Sequence, residues 1–240
     1  MADLLPAAPG EPCWSTRLAE LLLPVLRHLM EREGIAKSGA YNFYEHRIRN
    51  GMLFASYELA LSRKLLDWQP KLSQVCEIGS GFGQLVFLLG WHGLPAVGFE
   101  ADGARAHTAD RLLQILKLVE PDLSADLELI AGEFPRSRAA GGLRWRRALP
   151  VQAGSLILTT NIVATRTREQ QLAVIAAMKE FDYILVDIQR FFDLCPETEQ
   201  ERGRLALFEQ AGLIQPQLFL DLGRGGKYYL FRKDRASEVS

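Results

Sequence analysis

Cysteine is scarce and poorly placed for structural bonding: the chain has three, Cys13, Cys76 and Cys195, far apart, odd in number and without a C-x-x-C pair. That spacing argues against both a disulfide framework and a thiolate zinc site, and it suits a reducing compartment. Neither sign of charge is in excess, with 28 basic and 29 acidic residues, so nothing draws the whole molecule toward nucleic acid or an anionic membrane surface. A long apolar run is missing too. The densest leucine cluster, Leu21 to Leu26, contains Pro24 and lies between Glu20 and Arg27, and no basic leader precedes it. A secretory signal and a membrane span are therefore both disfavoured, and a cytoplasmic protein is expected. What is present is core material: 48% of the 240 residues are hydrophobic, enough to fill one full-sized domain with an appendage.

The pattern along the chain divides in two. Residues Met1 to Pro12 are rich in Ala, Pro and Gly. From Ser15 to Glu33, Leu18, Leu21, Leu22, Val25, Leu26 and Leu29 recur at helical period, with Ser15 or Thr16 as cap, Pro24 as a kink or restart, and Gly34 as the end. A polar and aromatic linker from Ser38 to Arg47 follows, then a second helix from Met52 to Trp68 with Leu53, Tyr57, Leu61 and Leu65 at i, i+4 spacing, closed by Pro70. These two helices and their linker, residues 1–70, read as a cap beside a cleft. Beyond them strand and helix alternate, which predicts an α/β parallel sheet. The strands are Gln74 to Ile78, Pro95 to Glu100, Leu127 to Ala131, Ser155 to Thr160, Phe181 to Asp187, Gln217 to Leu222 and Lys227 to Phe231. The helices include Ala104 to Val119, one opened by the capping box Thr167 and Gln170, and Glu197 to Ala211 with Gly212 as its stop.

One glycine is absent where a dinucleotide fingerprint needs it. After the first strand come Gly79, Gly81 and Gly83, but the last place of G-x-G-x-x-G is Gln84, which weakens a pyrophosphate reading. The stretch still reads as strand, tight turn and helix start, a place where backbone can approach a ligand that any Cβ would keep away. Glu77 precedes the turn. Glu100 ends the next strand about 20 residues beyond the glycines, the offset at which a carboxylate accepts from both hydroxyls of a ribose.

Glu77, Gly79, Gly81 and Gly83 together form an acidic-x-Gly-x-Gly-x-Gly run that resembles the first motif of class I S-adenosylmethionine-dependent methyltransferases. The resemblance implies a Rossmann-like α/β fold over about Lys71 to Lys233: seven mostly parallel strands in the order 3-2-1-4-5-7-6, helices on both faces and a C-terminal antiparallel hairpin. It implies a cofactor-binding domain at 71–240 with S-adenosyl-L-methionine as cofactor. On that basis Glu77 lies near the cofactor's amino-acid end, and the backbone of Gly79, Ser80, Gly81 and Gly83 packs on its methionine and ribose portions. Glu100 meets the ribose, and the adjoining Ala101 is a further cofactor contact. Gly132-Glu133-Phe134 resembles the family's Gly-acidic segment, in which Glu133 would accept from the adenine amino group while the Phe134 N–H meets the ring.

The acceptor side is less legible. After the fourth strand the chain has Thr160-Asn161-Ile162-Val163 in place of the Asn/Asp-Pro-Pro-aromatic segment of base N-methyltransferases, so base methylation is disfavoured. Asn161 is nonetheless placed to orient an acceptor hydroxyl or amine, or else simply forms the turn. His46, among Tyr41, Tyr44 and Glu45, is the candidate general base, with Tyr41 and Tyr44 as acceptor contacts. No carboxylate cluster suited to a divalent cation accompanies Asp187. Five arginines between Arg136 and Arg147 either grip an anionic acceptor or form a solvated loop. The expectation is non-metal methyl transfer to an oxygen or nitrogen of a small or sugar-like metabolite, with no nucleic-acid or membrane partner. A catalytically silent cofactor-binding or scaffold protein, and an NAD-dependent oxidoreductase, stay open as alternatives.

Overall fold

The computed structural model describes residues 14–33, 42–68, 71–124, 126–135, 153–160, 167–191, 201–213 and 215–232. Tyr41, Asn161, Cys13, Cys195 and the arginines of 136–147 lie outside the described residues.

The first described element is α1 (Trp14–Glu33), which continues through Pro24 without restarting there. A proline inside a helix costs about 3 kcal/mol, and Leu18, Leu22, Leu26 and Leu29, all buried on one face, outweigh it at about 1.5–3 kcal/mol each. The helix already includes Trp14, so Ser15 and Thr16 lie within its first turn instead of capping it. The stretch expected to be a linker contains a second helix, α2 (Asn42–Arg49), with an Glu45–Arg49 ion pair one turn apart. The helix expected from Met52 begins later, as α3 (Ser56–Leu66). There the Ala55 N–H donates to Glu58 Oε2 at 2.6 Å, satisfying a backbone donor at the helix start.

Strand and helix then alternate as β1 (Gln74–Ile78), α4 (Gln84–Trp91), β2 (Ala96–Glu100), α5 (Gly103–Val119), α6 (Pro121–Ser124), β3 (Leu127–Ala131), β4 (Ser155–Thr159), α7 (Arg168–Met178), β5 (Tyr183–Asp187), α8 (Glu201–Gln210), β6 (Gln217–Asp221) and β7 (Lys227–Arg232). Asp102 caps α5 by accepting from the N–H groups of Ala104 and Arg105, and Thr167 and Gln170 form the expected capping box on α7. The seven strands lie in the order β3-β2-β1-β4-β5-β7-β6. Pairing is parallel from β3 through to β5, and β7 runs antiparallel to both β5 and β6, as the family resemblance implied.

Alternation along the strands sends side chains to two cores. Val75, Leu156, Leu158, Leu185 and Leu230 pack with residues of α1, α3, α4 and α5, whereas Cys76, Ile157, Ile184, Val186 and Phe231 pack with α7 and α8. Helices α1 and α3 thus share one continuous core with a face of the sheet. No described helix is long and apolar enough to cross a membrane.

Candidate functional site

The strand order reverses direction between β1 and β4, and ligands of open α/β sheets gather at such a point, outside the carboxyl ends of the strands. The glycine turn stands there. Gly79, Gly81 and Gly83 have φ of 77°, 60° and 82°, left-handed values that side chains rarely tolerate, so this turn needs its glycines. The N–H groups of Gly79 and Ser80 both donate to the Phe99 carbonyl, at 2.8 and 3.0 Å, which ties the turn to the end of β2. There Glu100, buried, accepts from the Gly81 N–H at 2.8 Å on Oε2 and from the Asp102 N–H at 2.8 Å on Oε1, with Arg105 Nη2 3.2 Å from Oε1. Burial raises its carboxyl above the ordinary range despite these partners. The Gly132 N–H donates to the Glu100 carbonyl at 2.8 Å, so the loop after β3 joins the same edge. Beside Gly132, Glu133 is exposed and the Phe134 ring is buried 5.4 Å from that of Phe99. Ala101 is exposed next to Glu100.

Glu77 ends β1 in a different setting. It is 4% exposed; Oε1 accepts from the Thr160 hydroxyl at 3.0 Å, while Oε2 has no hydrogen-bond partner among the described residues. Burial, with the nearby Glu58 and Glu100 charges adding to it, pushes the carboxyl up to about 8 against the Thr160 hydrogen bond. A buried carboxylate without a cation is costly, and a positively charged ligand group would offset that cost.

Above this edge lie side chains to which the sequence reading gave no site role. Arg47 Nη1 is 3.5 Å from Glu58 Oε2, both residues being buried, and the Tyr57 hydroxyl donates to Glu58 Oε1 at 3.4 Å. The Arg190 guanidinium lies 5.7 Å from the Tyr57 ring centre and 3.9 Å from Asp187 Oδ2. Tyr228 on β7, fully buried, has a hydroxyl with no hydrogen-bond partner among the described residues, and burial raises both it and Tyr57 far above the ordinary phenol value. Two signals were readable. Tyr228 and Leu230 alternate onto the Glu77 face, and Glu58 stands three residues after the N-cap position, Ala55.

The structure brings together Glu77, Gly79, Ser80, Gly81, Gly83, Glu100 and Gly132. Tyr44 joins them: its ring meets Phe82 edge-on at 4.9 Å, and Arg47 lies 5.3 Å from its centre. His46 does not. It is exposed on α2, and its ring nitrogens lie 3.2 and 3.4 Å from the Asn50 side-chain amide. The site therefore offers a buried carboxyl that faces no cation among the described residues, a second carboxylate at the turn that is able to hold a diol, and a glycine turn on which the Tyr44 phenol now rests.

No family model matches the sequence, and no curated protein matches it either. Solved structures do share its architecture. The chain is similar to a candidate O-methyltransferase from Nostoc punctiforme, with a TM-score of 0.54 and 12% identity over 78% of this chain, and it spans 58% of that protein's length. It is similar to the N-terminal domain of EvdMO1 with S-adenosylhomocysteine bound (TM-score 0.52, 12% identity, 76% of this chain and 83% of that one), a domain also solved in the presence of D-fucose. It is also similar to an O-methyltransferase from Bacillus cereus in complex with S-adenosylhomocysteine (TM-score 0.50, 12% identity, 91% and 96%). At such identities the likeness is one of fold: the chain has the class I methyltransferase architecture, with its seven-stranded sheet and C-terminal antiparallel hairpin.

Proposed function

We propose that the chain binds S-adenosylmethionine at the carboxyl edge of β1 and β2 and catalyses methyl transfer to an oxygen or nitrogen of a small or sugar-like acceptor, without a metal. The observation that carries this reading is the pairing of Glu100 with the Gly81 N–H at 2.8 Å beside a buried Glu77 whose Oε2 has no hydrogen-bond partner among the described residues. Those two carboxylates suit the two ends of the cofactor. Glu77 would hold the ammonium of its amino-acid tail and Glu100 its ribose hydroxyls, while Gly79, Ser80, Gly81, Gly83 and Ala101 line the approach. Gly132, Glu133 and Phe134 would border the adenine. When bound, the cofactor supplies a methyl group on a sulfonium.

For the chain's own residues the remaining work is alignment and exclusion of water, the main levers in an in-line transfer that consumes a charge. Residues 1–70 would enclose the acceptor, with Tyr41 and Asn161 on its side. His46, exposed as it is, would need α2 to shift before it served as a base. A sugar-like acceptor accords with the D-fucose present with the EvdMO1 domain.

The test is transfer of a labelled methyl group from S-adenosylmethionine to a panel of amines, alcohols and sugars. Label in an acceptor that has lost an N–H or O–H supports the proposal. Saturable cofactor binding with no transfer to any member favours the catalytically silent alternative.

A further inference from the structure

Gly81 provides clearance in the turn, and a protein side chain already fills it. A Cβ built on Gly81 would lie 2.5 Å from Tyr44 Oη and 3.2 Å from Tyr44 Cζ, so the phenol rests directly on the backbone that the missing side chain leaves open. At Gly83 the corresponding space is taken by Phe87 and Leu129, ordinary packing of α4 and β3. Tyr44 is not ordinary packing of that kind. It lies within electrostatic reach of Glu58, Arg105, Arg47 and Glu100. Its tip thus rests on the glycine whose N–H donates to the carboxylate proposed to hold the sugar. Both Glu100 oxygens meanwhile carry protein donors, from Gly81, Asp102 and Arg105.

The helix that carries Tyr44 is fixed at the other end. Arg27 donates to the carbonyls of Ile48 and Arg49, at 3.1 and 3.2 Å, and Arg47 pairs with Glu58. Tyr44 lies one turn before these anchors. Between α2 and α3, Gly51 has φ of 80°, a backbone setting in which the two helices join without a side chain crowding the bend.

We infer that Tyr44 is a displaceable plug: its phenol and the cofactor's sugar compete for the space over Gly81, and binding requires the first turn of α2 to swing out about its anchored end. The inference rests on the cofactor reading above and adds to it a gate that the cofactor must open. A plug of this kind lowers apparent affinity by the fraction of molecules in which the space is clear, and removing it restores the intrinsic value.

The experiment is calorimetric titration of the full chain with S-adenosylhomocysteine, comparing wild type with Tyr44→Phe and Tyr44→Ala. Cooperative thermal melts establish that each protein is folded. Tyr44→Phe keeps the ring on Phe82 and removes only the hydroxyl above Gly81, so it guards against loss of the fold in the alanine variant. The expected result is about tenfold tighter binding by Tyr44→Ala, as when a competing closed state is removed, with a faster association rate and a smaller gain of the same sign for Tyr44→Phe. Weaker or unchanged binding by both variants would overturn the plug while leaving the cofactor reading intact, and in the weaker case would make Tyr44 a cofactor contact. No heat with any of the three folded proteins would overturn the cofactor reading, and the plug with it.

Discussion

The Thr160 hydroxyl donates to Glu77 Oε1 at 3.0 Å, joining the ends of β4 and β1 at the point where the sheet reverses its order. It is the hydrogen bond that holds a carboxyl pushed up to about 8 by burial. Native Glu77 therefore keeps its proton to about pH 8, whereas the unfolded chain releases it near the ordinary 4.5. Over that window the folded state binds the extra proton, so the stability that Glu77 contributes is greatest below 4.5, falls as pH rises toward 8 and then levels. Glu77→Gln cannot ionise. Its melting temperature should match the wild type near pH 5 and exceed it by pH 8.5. Calorimetric scans across that range check this, and parallel curves would mean that Glu77 titrates normally.

Arg47 and Glu58 are buried together at 3.5 Å, so removing either leaves a charge in a dry interior. Arg47→Met should destabilise by about 3–5 kcal/mol in urea unfolding. Adding Glu58→Gln should recover more than half of that loss, because the stranded carboxylate is gone. Additive losses would show that the two side chains do not act as a pair.

Loss of the Glu100 carboxylate removes the proposed sugar ligand and strands the Gly81 and Asp102 N–H groups that it now accepts from. Glu100→Ala should weaken S-adenosylhomocysteine binding by about 1–3 kcal/mol, the usual cost of leaving buried partners unmade. An unchanged dissociation constant takes Glu100 out of the site.

Gly81→Ala would force a side chain onto φ of 60° and put its Cβ 2.5 Å from Tyr44 Oη. The backbone part alone should cost about 1–2 kcal/mol, and the clash adds to it. In Tyr44→Ala the clash disappears, so the cost of Gly81→Ala should be smaller in that background. A double-mutant cycle in urea measures the coupling; a zero value would place the two residues out of contact.

What could be read in advance was local. Glu77, the three glycines and Glu100 announce themselves because a strand, a turn and a carboxylate at fixed offsets are properties of contiguous chain. The capping box of α7 and the alternation of β7 are legible for the same reason. Helix α2 was hidden: Asn42 to Arg49 has no apolar period, and what orders it is the Arg27 contacts with its carbonyls, the Arg47–Glu58 pair and the Tyr44–Phe82 contact, which join residues far apart in sequence. The same applies to Thr160 and Tyr228, whose nearness to Glu77 depends on strand order. Asp102, by contrast, stands immediately before α5 and carried a readable cap signal.

The central claim is that a sulfur-bearing nucleoside rests on Glu100 and Glu77, and a crystal structure of the chain grown with S-adenosylhomocysteine tests it most directly. The account predicts both ribose hydroxyls within hydrogen-bonding distance of the Glu100 carboxylate and the ligand's ammonium at Glu77 Oε2. Saturating ligand in the crystals with no density at that edge, or a nucleoside seated elsewhere on the sheet, would contradict it.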